Sequence, residues 1–322
     1  MIRRLGVVMD PIATIHPHKD STLAMLIEAQ RRGWSLTYME LDDLCLRDGR
    51  AEATGRALIV HDDSDHWFEL GAAEDIALGS LDVILMRKDP PMDLEYLAAT
   101  FVLDRAEAEG ALVVNRPRAL RDANEKAFTG WFPGCSPPTL VTRDMSRLRA
   151  FANEHGAIVL KPLYAMGGRS VYLVRAGDPN TSVILEEMTE RGRRTVVAQA
   201  YVPDVATTGD KRILMVDGEP VPHAIARMPP PGELRANIAA GGSVHPAELD
   251  DRDYAVCATV GPILRERGLW FVGLDVIGGF LTEINVTSPT CIREIDQLFK
   301  VNVAGTLCDV IERLLTSHRH RR

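Results

Sequence analysis

The stretch FVGLDVIGGFLTEINVTSPTCIRE, residues 271–294, decides how the chain is arranged around its site. Two short runs of alternating apolar residues flank Gly278-Gly279, a pattern that predicts a β-hairpin. Because side chains alternate along a strand, Asp275 lies on one face of the first strand, and Glu283 and Asn285 share one face of the second. The length of the turn decides whether these two faces coincide.

The connection between the two strands has two candidate lengths. A two-residue turn of the glycines pairs Asp275 with Thr282 and separates the acids. A three-residue loop, residues 278–280, pairs Asp275 with Glu283 and places Asn285 on the same face. We predict the three-residue loop, with a glycine in the left-handed conformation.

This face gathers two carboxylates and one amide oxygen. They are hard oxygen ligands that suit Mg²⁺, or Mn²⁺ in its place, carried in with phosphates. The plainer alternative is a polar, solvent-facing side of a hairpin. We favour the metal, because an exposed face seldom carries only Gly, Asp, Glu and Asn beside so apolar a partner face.

Composition bounds the class of protein. The 322 residues predict two or three α/β subdomains, and 46% apolar with 25% charged residues is ordinary for a soluble globular protein. The net charge of −8 argues against general binding to nucleic acid or anionic membranes. An anionic ligand must therefore be held by local clusters of Arg and Lys.

Cysteine usage and the N-terminus bear on location. The five cysteines are far apart and form no C-x-x-C pair, so neither a disulfide framework nor a zinc site is indicated. The N-terminus shows no signal-peptide core, and no apolar run reaches transmembrane length. We expect a cytoplasmic protein with reduced thiols and no membrane partner.

The first third of the chain alternates strands and helices, which predicts a parallel sheet. Ligands of such sheets sit beyond the carboxyl ends of the strands, where loops 10–19 and 87–91 lie. In the second loop, Arg87 and Lys88 either hold a substrate carboxylate or only cap solvent-exposed loop ends. We place a domain boundary near Arg121.

Four cations recur beside predicted strands in the second half: Lys126, on a helix predicted over 123–131, Lys161, Arg212 and Arg227. Alone, each is more often a solvated charge. Together with an acidic metal face they match a triphosphate with Mg²⁺, whose oxygens need several fixed cations. A long segment rich in Pro and Gly, residues 228–246, predicts a mobile lid or binding loop.

Several motifs together resemble the bacterial glutathione synthetases, a family of the ATP-grasp superfamily. The resemblance runs nearly end to end and is most specific in its last motif. It rests on VMDPI at 8–12, MLIEAQRRG at 25–33, DVILMRKDPP at 82–91, LRDANEK at 120–126, LKP at 160–162, MGG at 166–168, GDKRILMVDGEP at 209–220, AAGG at 239–242 and LTEINVTSPTCIRE at 281–294.

The resemblance implies an α/β ATP-grasp fold in three parts. Residues 1–121 would form an N-terminal α/β domain, residues 122–201 a central subdomain, and residues 202–322 a C-terminal subdomain with the metal-binding hairpin and mobile loop 228–246. Two α+β subdomains would clasp ATP between them. Such enzymes are usually homotetramers.

The resemblance also implies a role for each site residue. The residues that would hold ATP are Lys126, Lys161, Gly167, Gly168, Gln199, Ala200, Tyr201, Val202 and Asp210. Arg212 and Arg227 would neutralise the transferring phosphoryl group, and Asp275, Glu283 and Asn285 would carry Mg²⁺. Arg87 and Arg293 are the candidate cations for substrate carboxylates. Cys291 is interpreted as a packed thiol rather than a nucleophile, since no local His supports it.

The implied reaction is the ATP-dependent ligation of γ-glutamylcysteine and glycine through an acyl phosphate. The sequence departs from the family at Tyr164 and Ala165, where Asp-Gly normally precedes the MGG motif. Two alternatives stay open, and the departure at Tyr164 and Ala165 supports the second of them. One is an ATP-grasp ligase with a different acid or amine, and the other is a nucleotide-binding protein with impaired catalysis.

Overall fold

The computed structural model describes residues 3–233, 236 and 241–319. Within these ranges the chain forms three β-sheets and eight α-helices. Residues 234–235 and 237–240 of the predicted loop 228–246 lie outside the described residues. Among the residues described, no helix combines the length and the apolar character needed to cross a membrane.

The first sheet belongs to the N-terminal third and is mixed. Its strands are β1 Arg4–Val8, β2 Ser35–Met39, β3 Leu44–Arg47, β4 Arg50–Val60, β5 Phe68–Ala77, β6 Val83–Met86 and β7 Leu112–Val114. β2, β1, β6 and β7 run parallel, whereas β3, β4 and β5 are joined to them by antiparallel pairings. The helices of this region are α1 Ser21–Arg31, α2 Leu94–Glu109 and α3 Pro117–Asp122. β1 lies between β2 and β6, parallel to both, so the strand order reverses at its carboxyl end. Loops 10–19 and 87–91 leave the sheet at this switch point, where ligands bind in such folds.

The second sheet is small and antiparallel. Its strands are β8 Thr139–Thr142, β9 Ala157–Pro162, β10 Tyr172–Arg175 and β11 Val196–Ala200, in the order β10-β9-β11-β8. Helices α4 Met145–His155 and α5 Thr181–Met188 cover one side of it. Asp144 caps α4 by accepting the backbone N–H groups of Ser146 and Arg147, which fixes where that helix begins.

The third sheet is antiparallel and carries the opening stretch of the sequence. Its strands are β12 Asp210–Val216, β13 Glu219–Met228, β14 Ser243–Glu248, β15 Phe271–Ile277 and β16 Phe280–Asn285, in the order β14-β13-β12-β15-β16. Helix α6 Asp251–Arg267 precedes β15, and α7 Ile292–Phe299 and α8 Val303–Arg319 follow β16. The end of the predicted mobile loop, from Ser243, is thus an edge strand paired with β13.

Packing divides the molecule into two bodies. One apolar cluster joins Leu5 of the first sheet to Leu214 of the third, and another joins Ile84 to Leu274. The second sheet instead has its own cluster, centred on residues such as Leu160. The first and third sheets therefore share their core, whereas the second sheet packs on its own helices.

The hairpin turn differs from the prediction. It consists of Gly278 and Gly279 alone, with φ of 57° and 80°, so the three-residue loop is wrong. Both glycines occupy the left-handed region, as a tight two-residue hairpin turn requires. A bulge next to Asp275 then leaves Thr282 as an extra residue on β16 and shifts the register by one. Asp275 consequently lies opposite Glu283, so the predicted pairing of the two acids is confirmed by a different route.

The predicted helix over 123–131 is also wrong. Helix α3 begins at Pro117 and ends at Asp122, and only a short 3₁₀ turn, Ala127–Trp131, follows. The side-chain oxygen of Asn124 accepts the backbone N–H groups of Lys126 and Ala127. An Asn side chain that bonds nearby backbone in this way competes with helix formation. Lys126 is therefore presented from a turn.

Candidate active site

A cavity of about 660 Å³ opens where the three sheets meet. Its wall is formed by loops 10–19 and 87–91, the glycine-rich loop 163–169 and the β15–β16 hairpin. Of the site residues predicted from sequence, those that line the cavity are Arg87, Lys126, Lys161, Gly167, Gly168, Gln199, Ala200, Tyr201, Val202, Asp210, Arg212, Arg227, Asp275, Glu283 and Asn285. Arg293 does not line it.

Two arginines and two aspartates form the buried floor of the cavity. Strand β12 pairs with β13 and β15, and this register sets Arg212 opposite Asp275 and Asp210 opposite Arg227. Arg212 Nε lies 2.6 Å from Asp275 Oδ1, and Arg227 Nη2 lies 2.8 Å from Asp275 Oδ2. Arg227 Nη2 also lies 2.5 Å from Asp210 Oδ2. The two fixed cations thus face the cavity from adjacent strands.

The two aspartates titrate in opposite directions. Burial alone would raise the pKa of Asp275, but the charges of Arg212 and Arg227 outweigh it and hold that pKa below its usual range. Burial raises the pKa of Asp210 to about 7, assisted by the charge of Asp275 and opposed by Arg227. Asp275 is therefore an anion at neutral pH, while Asp210 is poised near its titration point.

Two lysines face the same space. Lys126 Nζ donates to Ala165 O at 2.6 Å and contacts Glu283 Oε1 at 3.2 Å. Lys161 Nζ donates to Gln199 Oε1 at 2.8 Å, from the neighbouring strand of the second sheet. Burial lowers the pKa of Lys161. An anion bound beside this buried amine would favour its protonated, charged form, and a phosphate group is such an anion.

The three predicted metal ligands lie on one face of the hairpin. Asp275 and Glu283 are register partners, and Asn285 is the partner of Gly273. The side-chain N–H of Asn285 donates to Gly273 O at 3.2 Å, which leaves its amide oxygen free to act as a ligand. The set of two carboxylates and one amide oxygen fits a hard divalent cation.

Glu125 was missed at the sequence level. Its Oε1 accepts the backbone N–H of Val286 at 2.8 Å, the N–H of Thr287 at 3.0 Å and the Thr287 hydroxyl at 2.8 Å. Burial and the charge of Glu283 raise its pKa. Through these hydrogen bonds, Glu125 connects the end of the β15–β16 hairpin to the segment that carries Lys126. The LRDANEK motif contains it, but no spacing in the sequence indicates this contact.

The backbone of the glycine-rich loop is not strained by the residues that depart from the family pattern. Gly167 and Gly168 have φ of 63° and 74°, whereas Ala165 does not occupy the left-handed region. The Cβ of Ala165 therefore causes no backbone strain. Tyr164 is 59% exposed and does not line the cavity.

Arg87 lines the cavity and is buried. Its Nε donates to the Thr22 hydroxyl at 3.0 Å and its Nη2 to Pro289 O at 2.9 Å. The alternative that it only caps a solvent-exposed loop end is wrong for Arg87. Lys88 instead pairs with Asp10 at 2.8 Å and does not line the cavity.

Arg293 is turned away from the cavity. Its Nη1 lies 2.8 Å from Asp62 Oδ1, and its Nε donates to Asp20 O at 3.3 Å. Successive residues of a helix point about 100° apart, so α7 directs Glu294 into the cavity and Arg293 outward. Cys291 is buried beside the cavity, and burial raises the pKa of its thiol.

Comparison with protein families matches nearly the whole chain. The family model described as the prokaryotic glutathione synthetase N-terminal domain matches residues 4–121. The model described as the prokaryotic glutathione synthetase ATP-grasp domain matches residues 125–300.

Curated relatives named glutathione synthetase align over nearly their full length. The one from Shewanella oneidensis strain MR-1 is 56% identical over 309 residues, covering 96% of this chain and 98% of the relative. The one from Pseudomonas putida strain KT2440 is 56% identical over 312 residues, covering 97% and 98%.

Solved structures share the fold at low identity. D-cycloserine synthetase DcsG superposes with a TM-score of 0.67 at 15% identity, covering 97% of this chain and 99% of that one. The ATP-grasp ligase PsnB, complexed with minimal precursor, Mg and ADP, gives 0.62 at 16% identity, covering 97% and 98%. The ATP-grasp fold predicted from the sequence is confirmed.

Proposed function

This chain belongs to the prokaryotic glutathione synthetase family, and we propose that it ligates γ-glutamylcysteine to glycine, with ATP converted to ADP and phosphate. The register of the hairpin carries the proposal. It sets Asp275 and Glu283 side by side, beneath Lys126 and against Arg212. That arrangement suits a metal-bound triphosphate beside fixed cations.

We propose that ATP lies between the second and third sheets. Lys126, Lys161 and the backbone of Gly167 and Gly168 would hold the phosphates, because ammonium groups and exposed N–H groups bind phosphate oxygens. Two observations support this placement: all four residues line the cavity, and both ammonium groups are buried.

The base and ribose would lie along the end of β11 and the start of β12. Gln199, Ala200, Tyr201 and Val202 line that part of the cavity. Asp210 supports a ribose contact, because its Oδ1 is buried and has no hydrogen-bond partner among the described residues. A ribose hydroxyl would supply the missing donor.

A divalent cation, Mg²⁺ or Mn²⁺ in its place, would be held by Asp275, Glu283 and Asn285. Each carboxylate oxygen accepts more than one interaction, so the contacts of Asp275 with Arg212 and Arg227 do not exclude a metal ligand role. When bound, the ion would neutralise part of the charge on the phosphate oxygens.

The protein's share of the chemistry is positioning and charge stabilisation. A carboxylate is a poor electrophile, so its oxygen first attacks the γ-phosphorus of ATP, giving an acyl phosphate and ADP. The amine of glycine then attacks the acyl carbon, phosphate leaves, and the amine releases a proton. Arg212 and Arg227, held by Asp275 and Asp210, would stabilise the charge on the transferring phosphoryl group.

Arg87 is the candidate cation for the carboxylate of a substrate. Its guanidinium is buried at the end of the cavity and rests 5.7 Å from the ring centroid of Phe271. The same role for Arg293 is not part of the proposal, since Arg293 does not line the cavity and its guanidinium contacts Asp62 and the backbone oxygen of Asp20.

The proposal is tested by glycine-dependent turnover. Purified protein is supplied with Mg·ATP and γ-glutamylcysteine, with and without glycine, and ADP and glutathione are measured. We expect ADP and glutathione in equal amounts, only when glycine is present. Absence of turnover at saturating substrates contradicts the proposal, and turnover only with another acid or amine points to the related ligase.

The double substitution Tyr164→Asp with Ala165→Gly tests the alternative of impaired catalysis. Because Ala165 is unstrained and Tyr164 lies outside the cavity, we expect kcat to change by less than about threefold, an energy below 1 kcal/mol. A gain of a hundredfold would show that the natural loop limits the rate.

We further propose a homotetramer in the cytoplasm. The five cysteines are all unpaired in the structure, which supports a reducing compartment. Light scattering during gel filtration tests the assembly, and a mass near that of one subunit, 35.5 kDa, contradicts it.

A further inference from the structure

A second group of metal-ligating side chains lies outside the cavity, where β4 and β5 are joined. It consists of His61, His66 and Glu69, whose ligand atoms all lie within 4.8 Å of one another. Nε2 of His61 is 3.0 Å from Oε1 of Glu69, and Nε2 of His66 is 3.5 Å from the same oxygen. None of the three lines the cavity, so the proposed ligase reaction leaves them without a role.

The spacing of these atoms matches a transition-metal ion. Ligand atoms about 2.0–2.1 Å from a tetrahedral Zn²⁺ lie roughly 3.4 Å apart, and the two measured separations, 3.0 Å and 3.5 Å, lie on either side of that value. We propose that His61, His66 and Glu69 bind a transition-metal ion of the Zn²⁺ class, with water in the remaining position.

The backbone that carries the ligands is anchored before any ion binds. His61 follows β4 directly, its backbone N–H donates to Trp67 O at 2.9 Å, and Glu69 is in β5. The indole N–H of Trp67 donates to Ile12 O at 2.9 Å, which ties the segment between β4 and β5 to loop 10–19. A site on anchored strands loses little conformational entropy when it binds.

The two imidazole rings converge on one carboxylate oxygen. The imidazoles of His61 and His66 are stacked, with centroids 5.6 Å apart and planes 26° apart, and both direct a nitrogen at one oxygen of Glu69. A metal ion would use both rings as neutral ligands.

The two metal sites would differ in selectivity. Imidazole nitrogens suit Zn²⁺, Cu²⁺ and Ni²⁺, whereas carboxylate and amide oxygens suit Mg²⁺. The cluster around Glu69 contains two imidazoles, and the hairpin site contains none. Saturating Mg²⁺ should therefore occupy the hairpin site and leave the histidine site for Zn²⁺.

Calorimetric titration with Zn²⁺ in saturating Mg²⁺ tests the proposal. The protein is prepared without an affinity tag. The substitutions His318→Gln and His320→Gln remove two further histidines, those near the C-terminal end, that could bind Zn²⁺. We expect one Zn²⁺ per chain in this background. Either His61→Gln or His66→Gln should weaken the affinity by roughly tenfold or more.

His155→Gln is the matched control. His155 also lies beside a carboxylate, 3.8 Å from Glu154, but the described part of the chain places no third ligand beside it. This variant should keep the affinity of the parent, and melting temperatures verify that each variant is folded. Unchanged Zn²⁺ affinity in both His61→Gln and His66→Gln would overturn the proposal, as would absence of Zn²⁺ binding in the parent.

Co²⁺ gives an independent spectroscopic measurement. Bound by the two imidazoles and Glu69 in tetrahedral geometry, it should show a visible absorption that His66→Gln abolishes and that Mg²⁺ does not displace. Loss of this absorption on addition of Mg²⁺ would place the ion at the hairpin and contradict the proposal.

Discussion

The second and third sheets face the same cavity but are stabilised differently. The third sheet shares two apolar clusters with the first sheet, whereas the second sheet packs only against α4 and α5 around its own cluster. The fixed arginines and Asp275 belong to the shared body, and Lys161 with the glycine-rich loop belongs to the independent one. The proposed catalytic arginines therefore lie on a body whose core is shared by two sheets, and the proposed phosphate ligand Lys161 lies on a smaller body with a separate core.

A pair of core substitutions tests this division most strongly. Leu160→Ala and Leu214→Ala each remove a fully buried side chain, which costs about 2–5 kcal/mol. We expect Leu160→Ala to increase hydrogen exchange in residues 139–200 alone, because that cluster is separate. Leu214→Ala should increase exchange in both the first and third sheets. Equal exchange throughout the chain in both variants would show that the two bodies unfold as one.

The fixed arginines of the shared body should dominate kcat. Replacing Arg212 by Gln removes a buried cation from the floor of the cavity, and we expect kcat to fall about 10²–10³-fold. Arg265→Gln is the control, since Arg265 pairs with exposed Glu219 outside the cavity. If Arg212→Gln keeps its melting temperature and its kcat, the assignment of this arginine fails.

Lys161 on the independent body should affect ATP binding and its pH dependence. Loss of one charged phosphate contact in Lys161→Met costs about 1.5–3 kcal/mol, which raises the KM for ATP roughly 10–100-fold. Because burial lowers the pKa of Lys161, its charge is lost at a lower pH than that of an ordinary lysine, so the KM of the parent should rise toward alkaline pH. Lys161→Arg should flatten that rise, since arginine stays protonated. An identical alkaline rise in Lys161→Arg would assign it to another group.

Of these residues, Glu28 should have the smallest effect, and it should affect only the stability of the shared body. Its carboxylate contacts Arg31 and Arg32 of the α1 region and accepts a bond from Asn302 before α8. The hydrogen bond from Arg31, opposed by burial and assisted by Arg32, lowers the pKa of Glu28 from 4.5 to about 2.

A carboxylate with a depressed pKa stabilises the fold above its ordinary pKa, and the contribution is lost as the pH falls from 4.5 toward 2. Glu28→Gln should therefore lower the free energy of unfolding by about 1–2 kcal/mol at pH 7 and by much less near pH 2. Denaturant melts at the two pH values measure this. An equal loss at both would mean that packing, not charge, explains the effect.

The faces of the strands were predictable from the sequence, but the turn was not. Alternation correctly put Glu283 and Asn285 on one face of the second strand, because it depends only on the two-residue period. The prediction of a three-residue loop failed because a bulge at Thr282 produces the same register shift. Bulges depend on neighbouring strands, which a local pattern does not contain.

Two further differences have local causes. Lys126 lies on a turn because the Asn124 side chain bonds backbone N–H groups that a helix would use, a competition that only the structure reveals. Arg293 faces away from the cavity because it lies on α7, and the sequence analysis did not predict this helix. The apolar spacing of Ile292, Ile295 and Phe299 could have indicated that helix.

The route of the transferred oxygen tests the central claim most directly. γ-Glutamylcysteine labelled with ¹⁸O in its cysteinyl carboxylate is turned over with Mg·ATP and glycine, and the released phosphate is analysed by mass spectrometry. An acyl phosphate formed above Arg212 and Arg227 predicts that each phosphate carries one labelled oxygen from the peptide. Unlabelled phosphate, or AMP with pyrophosphate in place of ADP, would contradict the account.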